Sequence, residues 1–265
     1  MNPTEQDKIR EAVRQDYARV AETGGDCCDG PSCCGSDPAQ HGALAVRIGY
    51  TPEDTTSVPE GANMALGCGN PQAIAGLSSG ETVLDLGSGG GFDCFLAAAQ
   101  VGTNGHVIGV DMTASMVSKA RANALQGGYS NVDFRLGEIE NLPVADGIVD
   151  VIISNCVINL SPDKPRVFNE AFRVLRPGGR LAVSDVVAFA PIPEPLRGDT
   201  KLLTGCMAGA SLISDLETML TAAGFEQVRI EPKDESKAFI SDWAPGTDIT
   251  EYVVSANIQA VKPGT

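Results

Sequence analysis

At 265 residues, with 34 acidic against 19 basic side chains and a formal charge of -15, the chain can bury a full core but is poorly suited to grip a phosphate backbone or an anionic membrane. Its start, Met1-Asn2-Pro3-Thr4-Glu5-Gln6-Asp7, lacks the basic and apolar runs of a secretion signal, and nowhere are there about 18 continuous apolar residues. The expectation is a cytoplasmic protein with no nucleic-acid or membrane partner, whose eight cysteines serve as core, ligands or chemistry rather than as structural disulfides.

Ile9, Val13, Tyr17 and Val20 recur at helical spacing and predict an amphipathic helix over residues 4–22. Thr23 to Gln40, which carries Cys27-Cys28 and Cys33-Cys34 among Gly, Asp, Pro and Ser, reads as a loop. Residues 41–80 are sparse in regular pattern and contain a tight turn, Leu66-Gly67-Cys68-Gly69-Asn70-Pro71. From residue 81 to 188 strands and helices alternate. Val83-Leu84-Asp85-Leu86 is a buried strand that breaks into Gly87-Ser88-Gly89-Gly90-Gly91 and runs into an apolar helix, Phe92 to Val101. Glycines there permit a tight turn and close ligand approach, and the helix start offers unpaired N–H groups. A second strand, Gly105 to Asp111, ends in an acid placed where a ribose-binding carboxylate belongs. Val132 to Pro143 is a third strand running into a loop, where Glu138 and Ile139 offer a polar and an apolar border for a purine. Val149 to Cys156 is a fourth strand, nearly all apolar, as strands covered on both faces are. After Pro191, Pro193 and Pro195 comes a small, apolar stretch around Cys206, then a helix over 214–223 and strands at 228–230 and 252–261. Three regions are expected: residues 1–60, a nucleotide-binding domain at 61–190, and a C-terminal region at 191–265. Cys94 reads as core, His106 as structural, and two histidines are too few for a histidine metal site.

Cys156 sits at the C-terminal end of the fourth strand, the edge at which an open parallel sheet binds its ligands. Cys68 and Cys206 lie in glycine-flanked segments, Gly67-Cys68-Gly69 and Gly205-Cys206-Met207-Ala208-Gly209. Three thiols converging there would form a soft, trigonal trap for a thiophilic ion. A dehydrogenase shares the strand-helix order, but its Gly-x-Gly-x-x-Gly fingerprint needs a glycine where Phe92 stands.

Ser154-Asn155-Cys156-Val157-Ile158-Asn159-Leu160, the Cys68 turn and Thr204-Gly205-Cys206-Met207-Ala208-Gly209-Ala210 resemble the signature segments of arsenite S-adenosylmethionine methyltransferases, and the likeness runs over residues 60–215. It implies an α/β, Rossmann-like fold with a mostly parallel sheet, an N-terminal Cys-rich segment and a C-terminal α+β extension. It implies S-adenosylmethionine held by Asp85 at its methionine end and by Asp111 at the ribose. Further cofactor contacts would come from Gly87, Ser88, Gly89, Gly91, Met112, Glu138, Ile139 and Asn155. In that family the cysteines matching Cys156 and Cys206 bind trivalent arsenic, and the one matching Cys68 exchanges with a further N-terminal cysteine. The implied substrate is arsenite or its thiol conjugates, with a thiol reductant of thioredoxin or glutathione type. Which of Cys27, Cys28, Cys33 and Cys34 is the partner stays open. Zinc is a poor fit to adjacent cysteines, and redox shuttling, arsenic capture or a loop without a role remain. Two other functions use the same residues. One is a C- or O-methyltransferase of a small metabolite, in which Cys156 and Cys206 only pack. The other is a thiol sensor or buffer that binds arsenic without turnover, against which stand the glycine loop and both acids.

Overall fold

The computed structural model describes residues 2–23 and 38–264, so Cys27, Cys28, Cys33 and Cys34 lie outside the described residues. Among the described residues seven strands form one sheet: β1 (Thr82–Leu86), β2 (His106–Asp111), β3 (Val132–Leu136), β4 (Val149–Asn155), β5 (Leu175–Ala188), β6 (Glu226–Lys233) and β7 (Val253–Val261), in the order β3-β2-β1-β4-β5-β7-β6. The first five are parallel, while β7 runs antiparallel to both β5 and β6. This is the Rossmann-like arrangement the sequence implies.

Side-chain alternation divides the sheet between two apolar layers. Leu84 and Leu86 of β1 join Ile108, Ile152 and Leu181 on one face, whereas Val83 joins Val107, Val151, Ile153 and Ala182 on the other. Asp85 therefore shares a face with Val83. The helices in chain order are α1 (Pro3–Thr23), α2 (Pro38–Arg47), α3 (Pro52–Thr56), α4 (Gln72–Ala75), α5 (Phe92–Val101), α6 (Ala114–Gly127), α7 (Lys164–Val174), α8 (Glu194–Arg197), α9 (Thr200–Thr204), α10 (Ile213–Ala222) and α11 (Lys237–Trp243). Helix α5 brings Phe95 to the Val83 face and α7 brings Phe168 to the other; each ring, wholly buried, contributes about 1.5–3 kcal/mol.

The chain steps outward from β1 to β2 and β3, then returns to β4 on the opposite side of β1. Ligands of such sheets bind beyond the strand ends at this reversal. The glycine loop after β1 and Cys156 after β4 both sit there. Helix α1 packs on α6, α9 and the Ile158–Leu160 turn at the same end, with Val13 and Val20 buried.

Helix α2 falls where the sequence reading placed a loop and an unpatterned stretch. Its apolar side is short, with Ala45 as its buried anchor against Tyr50 and Leu96, and Gly42 interrupts the periodicity. Strand β5 begins at Leu175 and runs through Pro177-Gly178-Gly179. Helix α11 is also missing from the sequence reading; Ile240 anchors it in the cluster around the cysteines.

Candidate active site

The three loop glycines adopt left-handed backbone angles, φ 72° at Gly87, 51° at Gly89 and 96° at Gly91, yet they do different work. A Cβ at Gly87 would strike Val157, and one at Gly91 would come within 2.7 Å of the Phe95 ring. Gly91 serves the turn and its packing, and it does not line the cavity beyond β1 and β4. A Cβ at Gly89 would meet nothing within 4 Å and Gly89 lines that cavity, so the space above it is open to a ligand. The N–H groups of Gly87 and Ser88 donate to the Val110 carbonyl at 2.7 and 3.0 Å, which clamps the loop to β2.

Asp111 reinforces the clamp. Its carboxylate accepts the Gly89 N–H at 3.0 Å and the Thr113 N–H at 2.8 Å, one bond to each oxygen. Lone pairs are left for two vicinal hydroxyls. Asp111→Ala should weaken S-adenosylmethionine binding roughly tenfold to a hundredfold, the value of a charge-assisted contact of about 1.5–3 kcal/mol, as calorimetry can read.

Asp85 is buried and faces α5, where the Cys94 thiol donates to it at 3.2 Å. Burial, then the charge of Asp93, pushes its pKa well above the carboxylate range. Asp93, also buried, accepts from the Tyr50 hydroxyl at 2.8 Å and from the amides of Gln72 and Asn155 at 3.4 Å. These hydrogen-bond partners are neutral, so a ligand bringing ammonium and sulfonium charge complements both acids. The Ser88 hydroxyl is buried on the cavity wall with no partner among the described residues. The open space at Gly89, the orphaned hydroxyl and the acids fit S-adenosylmethionine.

Met112, Ile139 and Asn155 line the cavity as the resemblance implies, but Glu138 does not. Its carboxylate is pulled outward into an ion pair with Arg14 and lies 3.6 Å from Arg10, both on α1. Glu140 takes that wall instead, accepting from Ser161 Oγ at 2.7 Å and paired with Arg10 at 3.3 Å.

The thiols gather beside this cavity. Cys156 and Cys206 both hold left-handed backbone angles, φ 60° and 63°, which side chains with a Cβ rarely adopt. Strain of this kind concentrates at functional positions. Cys156 lines the cavity with the Cys206 and Cys68 thiols as its neighbours, its sulfur lying within 4.8 Å of that of Cys68. Those neighbours and burial raise its pKa well above the usual thiol value. Burial also raises Cys68. The Cys206 thiol is 2.6 Å from the Cys156 carbonyl, to which it donates. All three are buried in one apolar cluster with Val13, Leu160, Met207 and Ile240.

Three residues escaped the sequence reading as site residues. Asp185 places an oxygen within 4.8 Å of the Cys68 and Cys156 sulfurs. Burial raises its pKa to about 7, against the donors from Val186 and Ile158 that hold it at 2.8 and 2.9 Å. An acid inside an otherwise apolar strand was the available signal. Asp93 and Tyr50 carried none, because what brings them together is tertiary.

A methyltransferase-domain family model matches residues 77–224. The arsenite methyltransferase of Halobacterium salinarum is 56% identical over 97% of this chain and 67% of its own length. That of Aquipseudomonas alcaligenes is 40% identical over 84% of this chain and 63% of its own, so the chain spans about two thirds of the length of these relatives. The crystal structure of an arsenic (III) S-adenosylmethionine methyltransferase from Chlamydomonas reinhardtii superposes with a TM-score of 0.61 at 34% identity, covering 84% of this chain and 74% of that one. With a glycine loop that leaves room for the cofactor and a thiol cluster one strand away, the chain belongs to the arsenite methyltransferase family of S-adenosylmethionine-dependent methyltransferases.

Proposed function

We propose that the protein methylates trivalent arsenic, first as arsenite and then as methylarsenite, with Cys68, Cys156 and Cys206 as its ligands. The observation that carries this reading is the gathering of three buried cysteines in one cluster at the wall of the cofactor cavity, with Cys156 in both cluster and wall. Soft thiolates select a soft ion, and the apolar cluster around them disfavours hard, hydrated ones.

Arsenite arrives as a hydroxide. Each thiol that joins it gives its proton to a departing hydroxide, which leaves as water, so thiols held protonated by burial suit the exchange. S-adenosylmethionine, when bound, supplies an electrophilic methyl on a sulfonium. The thiolates keep the arsenic lone pair free and hold it near the cavity, and such positioning supplies much of a rate enhancement. No general base is needed. The methylated arsenic is formally pentavalent, and two electrons from a cysteine pair closing to a disulfide return it to the trivalent state. Cys68 with one of Cys27, Cys28, Cys33 or Cys34 is the pair this reading assigns. A thioredoxin- or glutathione-type thiol in a reducing cytoplasm then reopens it.

Incubation with arsenite, cofactor and thiols, followed by arsenic speciation, tests the reading; absence of methylated arsenic refutes it. A finer test uses Cys68→Ser. Arsenite offers three exchangeable positions and methylarsenite only two, which Cys156 and Cys206 fill. Single-turnover methyl transfer to arsenite should fall about tenfold or more below that to methylarsenite, because only the first step loses a ligand. Equal rates on both would remove Cys68 from the ligand set.

A further inference from the structure

The Asn155 side chain links the two segments that carry Cys68 and Cys156. It immediately precedes Cys156, its Oδ1 accepts the Cys68 N–H at 3.0 Å, and its Nδ2 donates to the Gly69 carbonyl at 2.8 Å. The Cys68 turn comes this close because Gly67 has no side chain: a Cβ there would lie 2.5 Å from Asn155 Nδ2.

Alongside a 3.4 Å contact from its Nδ2 to Asp93 Oδ2, the amide is braced by Tyr50. Its hydroxyl accepts from Asn155 Nδ2 at 2.9 Å and donates toward the two Asp93 oxygens at 2.8 and 3.0 Å. Burial and the neighbouring Asp93 charge raise the Tyr50 pKa, which keeps the hydroxyl a donor. Its ring is anchored against Phe92, with centroids 4.8 Å apart. A continuous run of contacts thus joins Asp93 on α5, through Tyr50 and Asn155, to the backbone on both sides of the Cys68 sulfur. Tyr50 itself touches none of the three arsenic thiols by any of these bonds.

We infer that Tyr50 is a specificity-determining positioning residue: by holding Asn155 it sets the Cys68 thiol where a third thiolate is required, and so governs the use of inorganic arsenite as against a monomethylated arsenic. The inference rests on the arsenic reading above, in which only the first methylation uses Cys68.

Tyr50→Phe keeps the ring and removes the hydroxyl. In single turnover at saturating cofactor, transfer to arsenite should fall about tenfold further than transfer to methylarsenite, the effect of one buried hydrogen bond. Gly67→Ala, which pushes on the same amide from the opposite side, should shift selectivity in the same direction. An arsenic-free readout separates this inference from the functional one. Iodoacetamide labelling of Cys68, normalised to Cys94 by peptide mass mapping, should accelerate several-fold in both variants. Faster labelling in a protein that methylates neither arsenical would support the positioning and overturn only the arsenic reading. Equal losses on both arsenicals, or unchanged Cys68 labelling in both folded variants, would overturn the inference.

Discussion

Cys156→Ser should abolish methyl transfer to arsenite and to methylarsenite alike, by about a thousandfold or more, while leaving the fold and the affinity for S-adenosylmethionine near those of the parent. The asymmetry follows from where Cys156 stands. It alone of the three thiols lines the cofactor cavity, its sulfur lies within 4.8 Å of that of Cys68, and its carbonyl accepts from the Cys206 thiol at 2.6 Å. Serine replaces a soft, polarisable donor by a hard one of nearly the same shape. The strained φ of 60° belongs to the backbone after β4, and serine carries the same Cβ, so the substitution adds no backbone strain. If the thiols only packed, as in a methyltransferase of small organic metabolites, the same change would cost about 1 kcal/mol of stability and leave turnover intact. Arsenic speciation after single turnover, with calorimetry of cofactor binding, distinguishes the two. Full activity in Cys156→Ser would sink the arsenic assignment.

What could be read from the sequence was local in the chain. Strand β1, its glycine break and α5 are written in one continuous run, and Cys156 follows a strand whose apolar character shows that it is buried on both faces. Asp111 announces itself by ending β2. Cys68 and Cys206 were legible because glycines flank them and because the segments as wholes resemble a known family. Tertiary effects were not legible. Glu138 and Glu140 are two residues apart and chemically alike, and they part only because α1 sets Arg14 off the wall against Glu138 and Arg10 on the wall against Glu140. Tyr50 lies 105 positions from Asn155, and its role depends on the α2 segment folding back over α5, a helix whose weak periodicity concealed it. Asp185 shows a further limit: an acid in an apolar strand can be noticed, but that alone does not tell a structural acid from one within reach of two thiols.

Gly89→Val should lower affinity for S-adenosylmethionine about a hundredfold or more, equivalent to roughly 3 kcal/mol, because two independent features of this position oppose a side chain. The backbone sits at φ 51°, where a β-branched residue is strained by about 1–3 kcal/mol. The added carbons would also enter space that is empty of protein within 4 Å and that the cavity opens onto. Strain alone could relax the loop, break the Gly89 bond to Asp111 and lower affinity without any clash. Gly80→Val separates the two causes. Gly80 has a φ of 87° and likewise nothing within 4 Å of its would-be Cβ, yet it lies before β1 and outside the cavity. Both variants should lose comparable thermal stability, a few degrees in Tm for a chain of this length. Only Gly89→Val should lose the cofactor, and its arsenic thiols should still bind arsenite in the absence of S-adenosylmethionine. Unchanged cofactor affinity in Gly89→Val would show that the cofactor does not pass over this glycine, and would remove the glycine loop from the binding site.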